Sequence, residues 1–234
     1  MTINTEHVHS KRDSIVHLLI GILVFGSIWG FMEATLGGFL NMIIFPNKGA
    51  IMGAIGTSIM ALALGIYKKP SMLPGIGIVA ASFKLLNVWL LFVPISTVNV
   101  INPAMAIILE SLAFSLAVVL LNKQIEKNAF LGIGAGAVAG ILSSVAYVYF
   151  SIYIMHAPLF KRLGITSIGQ YVSNQGLIQA AFFAVFVPLG YLLGKKLAAR
   201  ASSMVARRAV YYGTAAATVC AAWSLSAIAV AAGL

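Results

Sequence analysis

Long runs of apolar residues alternate with short polar junctions along almost the whole chain. Seven of these runs are long enough to cross a bilayer, because about 20 helical residues span the hydrocarbon core. The predicted spans are residues 14–36, 51–67, 72–93, 101–121, 130–154, 177–193 and 210–232. The pattern therefore predicts an all-α, polytopic membrane helix bundle.

Two connections between the predicted spans have a mixed character. Residues 39–45 are mostly apolar and are followed by Pro46-Asn47-Lys48-Gly49. Seven helical residues rise only about 10 Å, too little to cross the hydrocarbon core. We therefore expect a re-entrant or interfacial segment here. Residues 157–176 are expected to form a longer loop on the same side of the membrane.

The positions of the basic residues fix the predicted orientation. Eleven of the 15 Lys and Arg residues fall in segments on one side of the predicted membrane, three fall on the other side, and Lys84 falls within the third span. Short loops rich in Lys and Arg stay in the cytoplasm. The bias places the N-terminus in the cytoplasm and the C-terminus outside.

The composition agrees with a membrane protein. Hydrophobic residues make up 61% of the 234 positions and charged residues only 9%, whereas soluble domains have roughly 25% charged residues. We expect a multi-pass protein of a prokaryotic inner or plasma membrane. Its expected divisions are a cytoplasmic tail (1–13), a membrane core (14–200), and a basic cytoplasmic loop with an additional C-terminal span (201–234).

The net charge of +10 does not indicate a nucleic-acid partner, because the basic residues are spread thinly between apolar runs. The single cysteine, Cys220, excludes an internal disulfide framework. No HExxH, GxSxG or P-loop pattern occurs. The sequence thus predicts a protein that is not an enzyme, with no cofactor and no transition-metal site.

Three ionisable residues lie inside predicted spans: Glu33, Lys84 and Glu110. Such charges cost about 2.5–3.5 kcal/mol each at a helix centre and by default indicate function. The predicted topology places all three in the outer half of the membrane. Polar residues of the same region complete the candidate substrate-binding set: Asn87, Asn102, Gln175 and Gln179.

Two interpretations of this set remain open. The charges can bind a solute, or Lys84 can simply pair with Glu33 or Glu110 and hold the bundle together. One lysine and two glutamates leave a surplus negative charge, which favours a cationic or zwitterionic solute or a metal ion.

Small residues at four-residue spacing form packing faces on two predicted spans. The fifth span carries Gly132, Gly136 and Gly140, which we expect to pack within the bundle. The first span carries Gly26 and Gly30, which are candidates for docking a partner helix.

Size, a glycine-rich six-helix core and the order of the first three spans give the chain a family resemblance. The Gly26-Ser27-Ile28-Trp29-Gly30 face is followed by a loop that ends in Pro46-Asn47-Lys48-Gly49-Ala50-Ile51. Over residues 14–200 the chain resembles the substrate-binding S components of energy-coupling-factor (ECF) vitamin and metal transporters. In that family the first helix usually carries an AxxxA motif, and the core has six helices. The glycines at these positions and the seventh span are therefore departures from the family pattern.

The resemblance implies capture of a vitamin, a precursor or a cation at the outer face, beneath a lid formed by the first loop. It also implies a transmembrane coupling subunit and ATPase subunits as partners, since the chain has no ATPase motif. The alternative from another class is a membrane anchor or assembly subunit of a larger complex. An ion-coupled carrier acting alone is a third possibility, although no internal repeat supports it.

Overall fold

The computed structural model describes residues 5–125, 129–155, 165 and 167–234. Within these residues the chain is helical with no strand, and seven helical segments are long and apolar enough to cross a membrane. The prediction of an all-α polytopic bundle is confirmed. The protein is an integral, multi-pass membrane protein.

The helices follow one another with short junctions. α1 is Thr5–Met42, α2 is Lys48–Tyr67, α3 is Leu73–Ser82, α4 is Leu85–Leu91 and α5 is Val98–Ile125. α6 is Ala129–Tyr149 and continues as a π-helical turn, Phe150–Ile154. α7 is Ile168–Tyr171, a second π-helical turn is Val172–Gly176, α8 is Leu177–Ala206 and α9 is Arg208–Ala231.

Six spans form a closed ring, and the seventh lies outside it. Going round the ring, α1 packs on α3, α3 on α5, α5 on α6, α6 on α8, α8 on α2, and α2 on α1. α9 packs against α1, and also contacts α4 and α8. The core inside the ring includes Trp29, Met60, Phe114 and Phe183, all fully buried. The arrangement matches the predicted six-helix core with one additional C-terminal span.

Backbone contacts between glycines and neighbouring helices close the ring. A Cβ at Gly136 or Gly140 would collide with the backbone of α8 at Phe183 or Ala180. Gly65 of α2 similarly faces the backbone of α8 at Gly194. Close approach of this kind maximises van der Waals contact, which drives helix association in a bilayer. The predicted packing role of the glycines in the fifth span is confirmed.

The glycine face of the first span has a different role from the one predicted. Gly26 packs against Val79 and the carbonyl oxygen of Ile76, and Gly30 packs against the ring of Phe83. Both glycines are buried. α3 of the same chain thus occupies the face expected to dock a partner, and that expectation is corrected. The physical reason is that a small-residue face is satisfied by any close helix, within the chain or outside it.

Several predicted boundaries also differ. The segment 39–45 is not separate, because α1 continues through the Gly37-Gly38 pair to Met42 and ends before Pro46. Residues 5–13 of the expected tail belong to α1, and residues 201–206 of the expected basic loop belong to α8. Of the expected outer loop, residues 168–176 are helical, whereas 157–164 and 166 lie outside the described residues.

The two ends of the bundle are chemically distinct. One end, which we call the basic end, holds the α2–α3 junction with Lys68 and Lys69 and the α8–α9 junction at Arg207. The opposite end, which we call the cavity end, holds the α1–α2 and α4–α5 junctions and the start of α7.

Candidate functional site

A cavity of about 610 Å³ opens at the cavity end of the bundle. It is lined by residues from α1, α2, α4, α5, α6 and α8 and from the segments that join them. All seven residues predicted as substrate-binding line it: Glu33, Lys84, Asn87, Asn102, Glu110, Gln175 and Gln179. The structure therefore brings the predicted set together in one place.

α5 contributes a periodic stripe to the cavity. Asn99, Asn102, Ala106 and Glu110 lie three or four residues apart on α5, and all line the cavity. Positions with this spacing share one face of a helix. Glu110 lies 12 residues after Val98, so it is about 18 Å along the helix from the cavity end. The cavity thus reaches deep into the bundle.

Lys84 lies where the third span is interrupted. α3 ends at Ser82 and α4 begins at Leu85. Across the junction, Phe83 and Lys84 donate their backbone N–H groups to Ala80 and Ala81, three residues back. This tightening is typical of a 3₁₀ turn within a helix, and the turn places the lysine at the cavity wall.

The Lys84 side chain pairs with the first span. Its Nζ lies 3.5 Å from Oε2 of Glu33, and it also lies 3.5 Å from the Glu33 carbonyl oxygen. Both side chains are largely buried, with exposures of 13% and 10%. Of the two pairings left open by the sequence, the structure contains the one with Glu33.

Glu110 is held by a polar cluster on the opposite wall. Nε2 of Gln179 donates to Oε1 of Glu110 at 3.0 Å and lies 3.3 Å from Oγ of Ser143. The Ser144 hydroxyl donates to Oε1 of Gln179 at 2.8 Å. Gly53 of α2 faces the Glu110 carboxylate, and a Cβ at that position would collide with it. Three helices therefore fix the position of this carboxylate.

Two tyrosines line the cavity above this cluster. Tyr147 is four residues after Ser143 on α6, and Tyr171 precedes Gln175 and Gln179 at the same four-residue spacing. Their ring centroids are 6.2 Å apart. Tyrosines near the end of a span are typical of the aromatic belt at a membrane boundary, and Tyr147 is not among the seven residues predicted to bind substrate. Continuing the polar stripes outward from Gln179 and Ser143 would have identified both.

The mouth of the cavity is rich in amides and carries a second lysine. Lys48 donates a hydrogen bond to Oδ1 of Asn41, and both are exposed. Neither residue is in the predicted set: the sequence predicts Lys48 in a loop and ends the first span before Asn41, whereas Asn41 lies in α1 and Lys48 begins α2. With Lys48 included, two lysines and two glutamates line the cavity. The predicted surplus of negative charge is thus confined to its inner part.

The seventh span also contributes to the wall. Val230, Gly233 and Leu234 line the cavity, and Leu234 packs against Gly38 of α1. Further in, the Trp223 ring lies 4.1 Å from the Phe83 ring, centroid to centroid. A helix that contacts both the break in the third span and the cavity mouth is more than a peripheral addition.

The donor set fits a small polar solute better than a metal ion. Among the described residues, no group of three or more His, Cys, Asp or Glu side chains is placed to hold a metal. Pockets of about 300–1,000 Å³ with a few convergent polar groups are typical of sites for organic ligands. Comparisons of the chain with protein-family models, with curated proteins and with solved structures found no match.

Proposed function

We propose that this membrane protein binds a small solute in the cavity and serves as the substrate-binding subunit of an uptake system. One observation carries the proposal: charged and amide side chains from five separate spans converge on one cavity of about 610 Å³. Burying charges in a bilayer is expensive. A structural ion pair accounts for Glu33 and Lys84, but it does not account for Glu110, Gln179 and the space in front of them.

The direction of capture follows from the basic residues. The cavity lies at the end of the bundle opposite Lys68, Lys69 and Arg207. Segments rich in Lys and Arg stay in the cytoplasm, so we propose that the cavity opens to the outside of a prokaryotic cell membrane.

The proposed energy source is a partner complex. The chain has no ATPase motif, and the resemblance to ECF S components suggests a transmembrane coupling subunit and ATPase subunits. The closed ring of six helices with one end open supports that comparison. Since α3 covers Gly26 and Gly30, the coupling subunit would have to bind another surface.

Ligand-dependent thermal stabilisation tests the proposed function. Purified protein is heated with a panel of vitamins, vitamin precursors, amines, amino acids and metal salts. We expect at least one solute to raise Tm by several degrees, because a ligand that binds only the folded state stabilises it. The Glu110→Gln variant should lose most of that shift.

If no solute in the panel shifts Tm, the proposal fails and the result supports the alternative that the protein is a membrane anchor. Affinity purification from the native host then separates the two further. Co-purifying ATPase subunits would support the uptake system, whereas co-purifying enzyme or redox subunits would support an anchor.

A further inference from the structure

Among the described residues, no cationic side chain forms an ion pair with Glu110, the carboxylate at the inner end of the cavity. Glu110 is only 6% exposed. In the described part of the chain it accepts a hydrogen bond from Gln179 and makes no ion pair, since Lys84 pairs with Glu33. A buried carboxylate is unfavourable unless it is paired or hydrogen-bonded. A cationic group of a ligand bound next to Glu110 would compensate the charge of this carboxylate.

The cluster around Glu110 leaves one carboxylate oxygen available to a ligand. Gln179 donates to Oε1, and its own Oε1 is taken by the Ser144 hydroxyl, which holds the amide in this orientation. A carboxylate accepts about four hydrogen bonds over its two oxygens. Oε2 therefore keeps its capacity to accept from a donor inside the cavity.

The aromatic side chains that line the cavity favour a positively charged ligand. Tyr147 is one helical turn from Ser143 toward the mouth, and the Tyr171 ring is 6.2 Å from the Tyr147 ring. A cation within about 6 Å of an aromatic ring face is attracted by its quadrupole. Both rings line the same cavity as Glu110, so a cation bound at the carboxylate would share the cavity with them.

The protein groups that line the cavity decide between a metal ion and an organic cation. Calcium takes six to eight oxygen ligands and magnesium demands octahedral geometry. Of the two cavity carboxylates, Glu33 is already engaged by Lys84. A single available carboxylate and tyrosine rings favour an ammonium group, and the volume of about 610 Å³ accommodates the rest of an organic molecule.

We propose that the cavity binds an organic cation, a small solute whose protonated amine is held by Glu110 beside Tyr147 and Tyr171. The asparagines at the mouth, Asn99 and Asn102, would bind polar groups at the other end of the solute. This inference rests on the proposed solute-binding function and narrows its substrate class.

Matched probes test the charge requirement. Tryptamine is compared with tryptophol and indole-3-acetate, and benzylamine with benzyl alcohol and benzoate. Magnesium, calcium and cobalt chlorides are tested separately. Binding to the purified full chain in lipid nanodiscs is measured by thermal shift and calorimetry, together with the broad panel described above. We expect at least one amine to bind at least tenfold more tightly than its alcohol and acid counterparts.

Two variants assign the effect to the carboxylate. Glu110→Gln should weaken amine binding at least tenfold, and it should weaken binding of the amines much more than binding of the alcohols. The double variant Glu110→Gln/Gln179→Glu moves the carboxylate across a hydrogen bond of 3.0 Å and should recover much of the amine binding. A purely structural Glu110 would change the Tm of the free protein without changing the preference for amines.

The possible failures are distinguishable. Amines that bind no better than alcohols, or that bind Glu110→Gln equally well, overturn the inference. A shift produced by metal salts and abolished by Glu110→Gln overturns it in favour of a metal. If another class of solute in the panel binds while the amines do not, the substrate class is wrong but the proposed function stands. If nothing binds, both fail.

Discussion

At the scale of single residues, the two buried glutamates differ because their neighbours differ. Glu33 has Lys84 within 3.5 Å, so its charge is compensated inside the protein. Glu110 has an amide and a glycine as neighbours instead. The same residue type therefore forms an ion pair in one case and, among the described residues, only a hydrogen bond to an amide in the other.

The Lys84–Glu33 pair gives a prediction about stability. Lys84→Met leaves Glu33 buried without its partner, and breaking one side of a buried pair costs about 3–5 kcal/mol. The double variant Lys84→Met/Glu33→Gln removes both charges and should be closer to the wild type in stability than Lys84→Met. Unfolding in a denaturing detergent titration measures the cycle. The cycle also needs the single variant Glu33→Gln. If the stability losses of Lys84→Met and Glu33→Gln add up to the loss in the double variant, the two side chains do not form a stabilising pair.

At the scale of helices, contacts between small residues set the distance between neighbours in the ring. Gly136 and Gly140 bring α6 against the backbone of α8, and Gly65 brings α2 against the same helix. These contacts hold Gln179 of α8 within 3.3 Å of Ser143 on α6. Helix spacing therefore determines the geometry of the cluster at Glu110.

A matched pair of glycine substitutions tests this role. Gly136→Val places a side chain against the backbone at Phe183 and Ala184, whereas Gly134→Val, on the same helix, has nothing within 4 Å. Overpacking costs about 1–3 kcal/mol, so Gly136→Val should lower stability and ligand binding. Gly134→Val should change neither. Equal effects of the two variants would contradict the packing assignment.

At the scale of the whole molecule, a ring of six helices has its cavity at the end opposite the basic junctions. The seventh helix packs on α1 and extends to the mouth, where Leu234 lies against Gly38. It therefore places a wall beside the opening. The architecture keeps polar groups in the cavity and apolar side chains such as Leu19, Ile78 and Leu189 on the outer surface.

The orientation of the whole molecule can be tested by cysteine labelling. In a Cys220→Ala background, Gly49→Cys lies at the cavity end and Ser203→Cys near the basic end, both at exposed positions. A membrane-impermeant maleimide applied to intact cells should label Gly49→Cys only. Permeabilised cells, in which both should react, provide the control. Labelling of Ser203→Cys alone in intact cells would reverse the proposed direction of capture.

Much of the element-level description could be predicted from sequence. The number of spans follows from apolar length, which is a local property. The boundaries are harder to predict, because the apolar pattern ends the first span at residue 36 whereas α1 continues through Gly37-Gly38 to Met42. In a bilayer, an unpaired backbone group costs several kcal/mol, so a helix continues through residues that would break it in water. The same cost of unpaired backbone groups explains why residues 168–176, which were expected to form a loop, are helical.

The sequence by itself determined that the chain is a seven-span bundle, which polar residues lie near one end, and the predicted orientation. These properties depend on hydropathy, on helical rise and on charge counts along the chain. Only the tertiary structure decided that Lys84 pairs with Glu33 rather than Glu110, that Gly26 and Gly30 contact α3, and that Tyr147 and Lys48 belong to the cavity. Those outcomes depend on which helices are neighbours and how each is rotated about its axis, which the spacing of residues along one helix does not specify.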